Sequence, residues 1–419
     1  MTTLPNPALV GTPSSVGNMD ALLKDVYAPK IISLLNKKTA LLDKLGKSGE
    51  KFSGRQLKFM ILTGRENGVG NRGENAGLPR ASVSRQVQAS IVSKTLTGRI
   101  QASGETIEKS KTDKGAFAAD MATQMDNIVE AIHNDLNRQL YGVDVTVTDA
   151  GGTDLSGKTG LFGFVTTGAA SAIQAFSSTT NMVKGMSLAI GTATEFAAGS
   201  FSTGIIDTVD SATQVTFENS ITTVTNDGIA RGDADGSAYN EELTGLVQIV
   251  KASGTAQDVS STTYPNWKAS VIDAASGYSL DDDRIQEMMD TVGDECGTEP
   301  NLIVTHRRQR KLYLATLLAG KRYMGQELKG GFSGKLVYQG GDSPVEIFVD
   351  KFCPNTKAFF LNTGDISMYT QQEFTWMEDG AIFSRVPGKF GFEASMTAMK
   401  QLGCKRRNSH GVYNALATS

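Results

Sequence analysis

DKGAFAADMATQMDNIVEAIHNDLNRQLYG, residues 113–142, carries the clearest periodicity in the chain. Phe117, Met121, Met125, Ile128, Val129, Ile132, Leu136 and Leu140 recur every three or four residues, the spacing that puts apolar side chains on one helix face. Gly142 supplies the stop, since glycine readily takes the left-handed conformation that ends helices. The pattern predicts a helix over 113–141, roughly 40 Å long at about 1.5 Å per residue. Its surroundings are acidic: residues 105–141 hold Glu105, Glu108, Asp113, Asp120, Asp126, Glu130 and Asp135 against four basic groups.

Toward the N-terminus the period shortens to two. Leu57, Phe59 and Ile61 alternate with Lys58 and Met60, and Val87, Ala89 and Ile91 alternate with Gln88 and Ser90, which predicts two strands. RENGVGNRGENAGLPRASVSR, residues 65–85, joins them. Ordinary hairpins turn in about 2–5 residues, so a connection this long is expected to be functional or disordered. Residues 54–99 are basic, with Arg55, Lys58, Arg65, Arg72, Arg80, Arg85, Lys94 and Arg99 against Glu66 and Glu74. Ahead of them, NMDALLKDVYAPKIISLLNKKTALLDKLGK, residues 18–47, reads as short amphipathic helices broken near Pro29.

On the C-terminal side, residues 175–250 are rich in Thr, Ser, Val and Gly, with strand candidates TGIIDTV and TQVTF, and read as a small β insertion. SLDDDRIQEMMDTVG, residues 279–293, returns to helical spacing with Ile285, Met288, Met289 and Val292 on one face and Gly293 as the expected stop. The strand LIV at 302–304 leads into a second helix, THRRQRKLYLATLLAG, with Thr305 as expected N-cap and Gly320 as expected stop. Strands close the chain at VEIFVD, AFFL, ISMYT and GFEASM.

With 419 residues, 39% hydrophobic and 20% charged, the chain can build two or three cores. Its apolar runs fall short of the roughly 18 residues of a membrane span, and its first residues lack the pattern of a signal peptide. A net charge of −3 argues against a surface that grips nucleic acid everywhere, though not against local contact. Cys296, Cys353 and Cys404 are too scattered for a disulfide framework or zinc site, which points to a reducing compartment.

GTDLSGKT, residues 152–159, fits the phosphate-loop pattern, but such a loop needs a helix after it, and GLFGFVTTGAAS does not read as one. The Asp281–Asp283 run fits a helix start better than a metal site, and GDADG at 232–236 lacks most of a calcium loop. His133, His306 and His410 stand in no catalytic pattern. Lys405, Arg406 and Arg407 read first as a solvated face. The expectation is a non-enzyme without cofactor or metal.

Taken in order, an apolar helical arm, a long basic hairpin, one very long helix, a mixed region, a strand-to-helix unit and closing strands resemble the major capsid proteins of tailed bacteriophages. The stretches that carry the likeness are LLKDVYAPKIISLLNKKTALLDKL, GRENGVGNRGENAGLP, the 113–142 helix, PNLIVTHRRQRKLYLAT and VEIFVDKFCPNTKAFFLNTGDI. The resemblance implies an α+β fold of the Hong Kong phage capsid type. It places an N-terminal arm at 1–53, an extended loop at 54–104, and a peripheral domain with its spine helix at 105–174. A β-rich insertion follows at 175–250, then a mainly axial domain at 251–344 and closing strands at 345–419.

It also implies hexamers and pentamers of an icosahedral head around double-stranded DNA, in a virion assembled in the host bacterial cytoplasm. A portal protein and a decoration protein are expected partners. The charge split makes Arg65, Arg72, Arg80 and Arg85 on the loop, and Asp120, Asp126 and Glu130 on the helix, the candidates for contact between subunits. The connection 65–85 lacks the lysine that covalent cross-linking in some relatives requires, so none is expected. The arm begins by Met19, leaving no room for a built-in scaffold, so a separate scaffolding protein is expected. The competing readings are an encapsulin-like cellular shell, a phosphate-loop NTPase, and a tail or fibre protein.

Overall fold

The computed structural model describes residues 40–46, 54–64, 68–81, 83–106, 120–233, 235–274, 278–320, 336–340, 344–377, 384–386 and 388–417. The helices expected ahead of residue 40, the first turns of the 113–141 helix, and Arg65 lie outside these residues. A short helix α1 (Ala40–Lys44) buries Leu41 and Leu45 in the main core, so the end of the arm is structural. Its Leu41 N–H donates to Asp350, and its Lys44 pairs with Glu346 at 2.8 Å.

Strands β1 (Leu57–Leu62) and β2 (Gln86–Ile91) form an antiparallel hairpin, and β3 (Lys94–Ser103) lies along a longer sheet. Helix α2 (Asp120–Tyr141) is about 33 Å long and buries Ile132, Leu136 and Leu140. Gly98 of β3 lets it settle, because a Cβ there would come 2.4 Å from Ile132 Cδ1.

The β-rich insertion is a closed barrel. Strands β4 (Leu161–Thr167), β5 (Ala170–Phe176), β6 (Ser187–Gly191), β7 (Ser202–Val209), β8 (Gln214–Thr222) and β9 (Gly228–Asp233) pair antiparallel in the order β9-β4-β5-β8-β7-β6, and β6 pairs back onto β9. Val165, Phe176, Leu188, Ile206, Val215 and Ile229 are fully buried inside it. Helix α3 (Ala193–Ala198), capped by a Thr192–Glu195 box, covers one end, and β10 (Gly236–Ser237) extends β9. The sheet draws in 161–174, residues that the sequence reading assigned to the segment before the insertion. Phe, Val and Thr in LFGFVTT favour a strand, but which sheet it joins is decided by pairing with β9 over a long sequence separation.

The remaining elements are α4 (Leu246–Ile249), the small ladder β11 (Thr255–Ala256) and β12 (Val259–Ser260), β13 (Ser270–Asp273), α5 (Asp282–Cys296), β14 (Leu302–Thr305), α6 (Arg307–Gly320), β15 (Val337–Tyr338), β16 (Val345–Val349), β17 (Ala358–Leu361), β18 (Ile366–Trp376), β19 (Ser384–Arg385), β20 (Gly391–Cys404) and β21 (Gly411–Asn414). Six of them form a mixed sheet in the order β13-β21-β17-β14-β16-β15. It is buried on both faces: Leu302, Val304, Phe359, Leu361 and Val412 enter the main core, while Ile303, Ala358, Phe360 and Tyr413 meet Ile285, Met288, Met289 and Val292 of α5. This explains the unbroken apolar runs LIV and AFFL. Strands β3, β20, β18 and β19 make the second large sheet.

Two helix boundaries differ from the sequence reading. Helix α5 passes through Gly293 and ends at Gly297, whose φ of +77° needs glycine. Its N-cap is Asp281, which accepts the Arg284 N–H, so the acidic run does serve the helix start. At α6 the capping residue is His306 rather than Thr305: His306 Nδ1 accepts the Arg308 N–H at 3.2 Å, and its carbonyl accepts that of Arg310. Thr305 is still in β14, between Val349 of β16 and Ala358 of β17.

Candidate assembly surface

The β1–β2 hairpin has two unlike faces because its side chains alternate. Inward, Phe59, Ile61, Val87 and Ala89 pack on Val259, Trp267 and Tyr264, while Leu57 and Ile91 pack on Tyr369. Outward, Met60 and Leu62 face solvent. The Thr63 N–H donates to the Arg85 carbonyl at 2.8 Å and closes the stem. Beyond it the connection projects, turning near Asn75, whose φ is +63°. Val69, Leu78 and Val83 are 79%, 90% and 88% exposed there, values that leave these side chains essentially without neighbours in the lone chain.

Arg72, Arg80 and Arg85 are also exposed and make no ion pair among the described residues. The other cations of this region divide: Lys94 pairs with Glu241 and Arg99 with Glu393 inside the same chain. On α2, Asp126 is exposed, while Glu130 is half-buried and already engaged within the chain. The side chain of Asp120 lies outside the described set. Of the contact candidates read from sequence, Arg72, Arg80, Arg85 and Asp126 are thus exposed and without an ion pair among the described residues, as are Arg55 and Lys58 of the same basic stretch.

Asp135 is taken out of the acidic face by a buried cluster. Arg138 Nε donates to Asp135 at 3.0 Å, its Nη2 to Glu242, and its guanidinium lies 4.3 Å from the Phe162 ring centre; Arg231 approaches Asp135 at 3.4 Å. Burial pushes the Asp135 carboxyl up, but attraction to Arg138 and Arg231 outweighs it and holds the group below its ordinary range. Burial wins at Glu242, whose pKa is raised. Phe162 and Arg231 belong to barrel strands, so the cluster fastens the barrel to α2.

The hairpin's seat depends on a residue that sequence charge misassigns. Arg407 is buried, donating to the carbonyls of Ile249 at 2.7 Å, Ser253 at 3.1 Å, Gly254 at 3.2 Å and Trp267 at 3.3 Å. It thereby fixes the loop that carries Trp267 beneath Ala89. Burial lowers its pKa to about 10, leaving it charged at neutral pH. His410 is fully buried, accepts the Asn362 N–H, and is pushed down to about 3 by burial. His133 lies against the Phe374 ring, with centroids 5.2 Å apart.

The other motifs resolve into turns. After GTDLSGKT comes strand β4 rather than the helix a phosphate loop requires, and within GDADG Gly232 and Asp233 end β9 while Gly236 opens β10. No group of His, Cys, Asp or Glu placed to hold a metal occurs among the described residues, and no helix there is long and apolar enough to cross a membrane.

The sequence matches no family model and no curated protein. Solved structures do match. The capsid asymmetric unit of cyanophage A-1(L) superposes with a TM-score of 0.59 at 13% identity, covering 94% of this chain and 98% of that one. The chain has the phage capsid fold. Capsid subunits of empty and native GTA particles agree, with TM-scores of 0.56 and 0.53, each at 9% identity over 97% of this chain and all of theirs. The α+β arrangement of the capsid fold is thus present at nearly full length.

Proposed function

We propose that this chain is the major capsid protein of a tailed phage, assembling through its β1–β2 hairpin into the hexamers and pentamers of an icosahedral head around double-stranded DNA. The observation that carries the reading is the projecting hairpin end. Full burial of a Val or Leu side chain is worth about 1.5–3 kcal/mol, and Val69, Leu78 and Val83 gain only a small part of it in the lone chain. A second copy supplies that burial, and repeated contacts between unlike surfaces close into rings. Arg72, Arg80 and Arg85 would meet the acidic side of a neighbour's α2 around Asp126, and electrostatic complementarity of this kind sets register.

A separate scaffolding protein would guide assembly, and portal and decoration proteins would join the head. The test is electron microscopy of the purified chain, alone and co-expressed with a scaffold from the same source. Icosahedral particles support the proposal, and a monodisperse small species under both conditions overturns it. Particles enclosing protein rather than DNA would reassign the chain to a cellular shell of encapsulin type.

A further inference from the structure

Helix α6 opens with four cations in five residues, Arg307, Arg308, Arg310 and Lys311, and all four are exposed. At about 100° per residue they fan over roughly 160° of the helix. Gln309 and Tyr313, on the opposite side, are buried, and there Tyr313 donates to Asp282 at 2.6 Å. None of the four makes an ion pair among the described residues. Lys351 joins them. Strands β14 and β16 run parallel with Thr305 opposite Val349, so Arg307 and Lys351 each follow that matched pair by two residues and emerge from the same sheet end. Lys351 is exposed as well.

The placement is unfavourable for the lone chain. A helix N-terminus carries partial positive charge and prefers acidic side chains, yet the first turn of α6 has none. The side chains and the backbone thus add in sign, and the half-buried His306 is held below its ordinary pKa by burial and by Arg307 and Arg308. Such a concentration, in a chain whose net charge is −3, has a cost that an external polyanion removes. Three of the four are arginines, whose planar guanidinium matches phosphate oxygens in pairs.

We infer that Arg307, Arg308, Arg310, Lys311 and Lys351 form a phosphate-backbone contact for double-stranded DNA, without sequence readout. This rests on the capsid reading, in which one wall of the shell faces packed DNA, and it assigns the start of α6 to that wall. An acidic protein segment is the competing occupant, and the experiment separates the two.

The full chain, unassembled, is titrated against a labelled mixed-sequence DNA duplex across a salt series, alongside the triple variant Arg307→Ala, Arg308→Ala, Arg310→Ala and its Arg→Lys counterpart. Each phosphate contact contributes about −0.9 to the slope of log affinity against log salt. The alanine variant is therefore expected to lose about 2–3 from that slope and more than tenfold in affinity at low salt, with its melting temperature equal to or above that of wild type. The lysine variant keeps most of the binding. Equal duplex binding by wild type and alanine variant overturns the inference, as does loss of particle assembly with duplex binding intact, which would mark a protein partner. Absence of particles in the microscope would instead count against the capsid reading, because this titration needs none.

Discussion

The barrel and the hairpin are both antiparallel β structure, yet one is complete within the chain and the other is not. In the barrel, β6 pairs back onto β9, and Phe176, Phe217 and Ile229 fill a private core. In the hairpin, two strands have a single buried face, and the connection beyond the stem exposes Val69, Leu78 and Val83. Closed pairing stabilises a fold by itself, whereas a two-stranded hairpin is marginal without something to lie on. The contrast separates a part of the molecule that is closed within the chain from the part for which a second copy is proposed.

The comparison is tested most severely by replacing residues 68–81 with a short Gly-Ser turn. Assembly into particles should be abolished, while the melting temperature of the monomer stays within a few degrees; particles of normal size would break the contrast. Next in size, Phe217→Ala should cost about 3–5 kcal/mol in denaturant unfolding of the barrel, as large aromatic truncations do. A loss under 1 kcal/mol would show that the barrel core is not the closed unit described.

His410 gives a pH-dependent effect on the sheet that seats neither region directly. Its folded pKa of about 3 lies below the ordinary 6.5, so the unfolded chain binds the proton more tightly and stability falls as pH drops from 6.5 toward 3. Between pH 7 and pH 5 the loss should be about 2 kcal/mol. His410→Asn, which keeps an acceptor for the Asn362 N–H, should flatten that dependence, and an unchanged slope would refute the assignment.

Smaller still is the joint change Arg72→Ala, Arg80→Ala, Arg85→Ala. It should weaken assembly by about 1 kcal/mol per contact at low salt, and the difference from wild type should fade as salt screens the charges. An effect that persists at high salt would mean packing rather than charge. At the end of the scale, boiled and reduced particles should run as a single band, since the connection 65–85 has no lysine to cross-link; a ladder would sharpen the picture in the other direction.

Much of the frame was legible in sequence because burial imposes a period. The Ile132, Leu136 and Leu140 stripe and the Leu57–Ile61 alternation report which face is inward, and the runs LIV and AFFL report a sheet covered on both sides. Local signals erred where two residues competed for one job. Gly293 looked like a stop, but the helix continues to Gly297, and His306 caps α6 while Thr305 belongs to a strand. Barrel closure was hidden because it joins strands about 40 residues apart through sequence of weak preference.

The assembly candidates were legible as charge, but not which charges remain available. Lys94, Arg99 and Asp135 find partners that sit more than 100 residues away or in a buried cluster. Arg407 is the extreme case: nothing beside it in the sequence indicates that four backbone carbonyls from 249–267 surround it.

The barrel's closure also bears on crowding. In the proposed shell, many copies would bring many barrels to very high local concentration during growth. Open sheet margins under those conditions zip together between molecules and trap irregular aggregates. Because β6 and β9 occupy each other's hydrogen-bonding groups, that seam offers neighbours no template for a strand, and the edge left at β10 is two residues long. Addition of subunits can then be governed by the hairpin, and a growing edge has fewer wrong ways to continue.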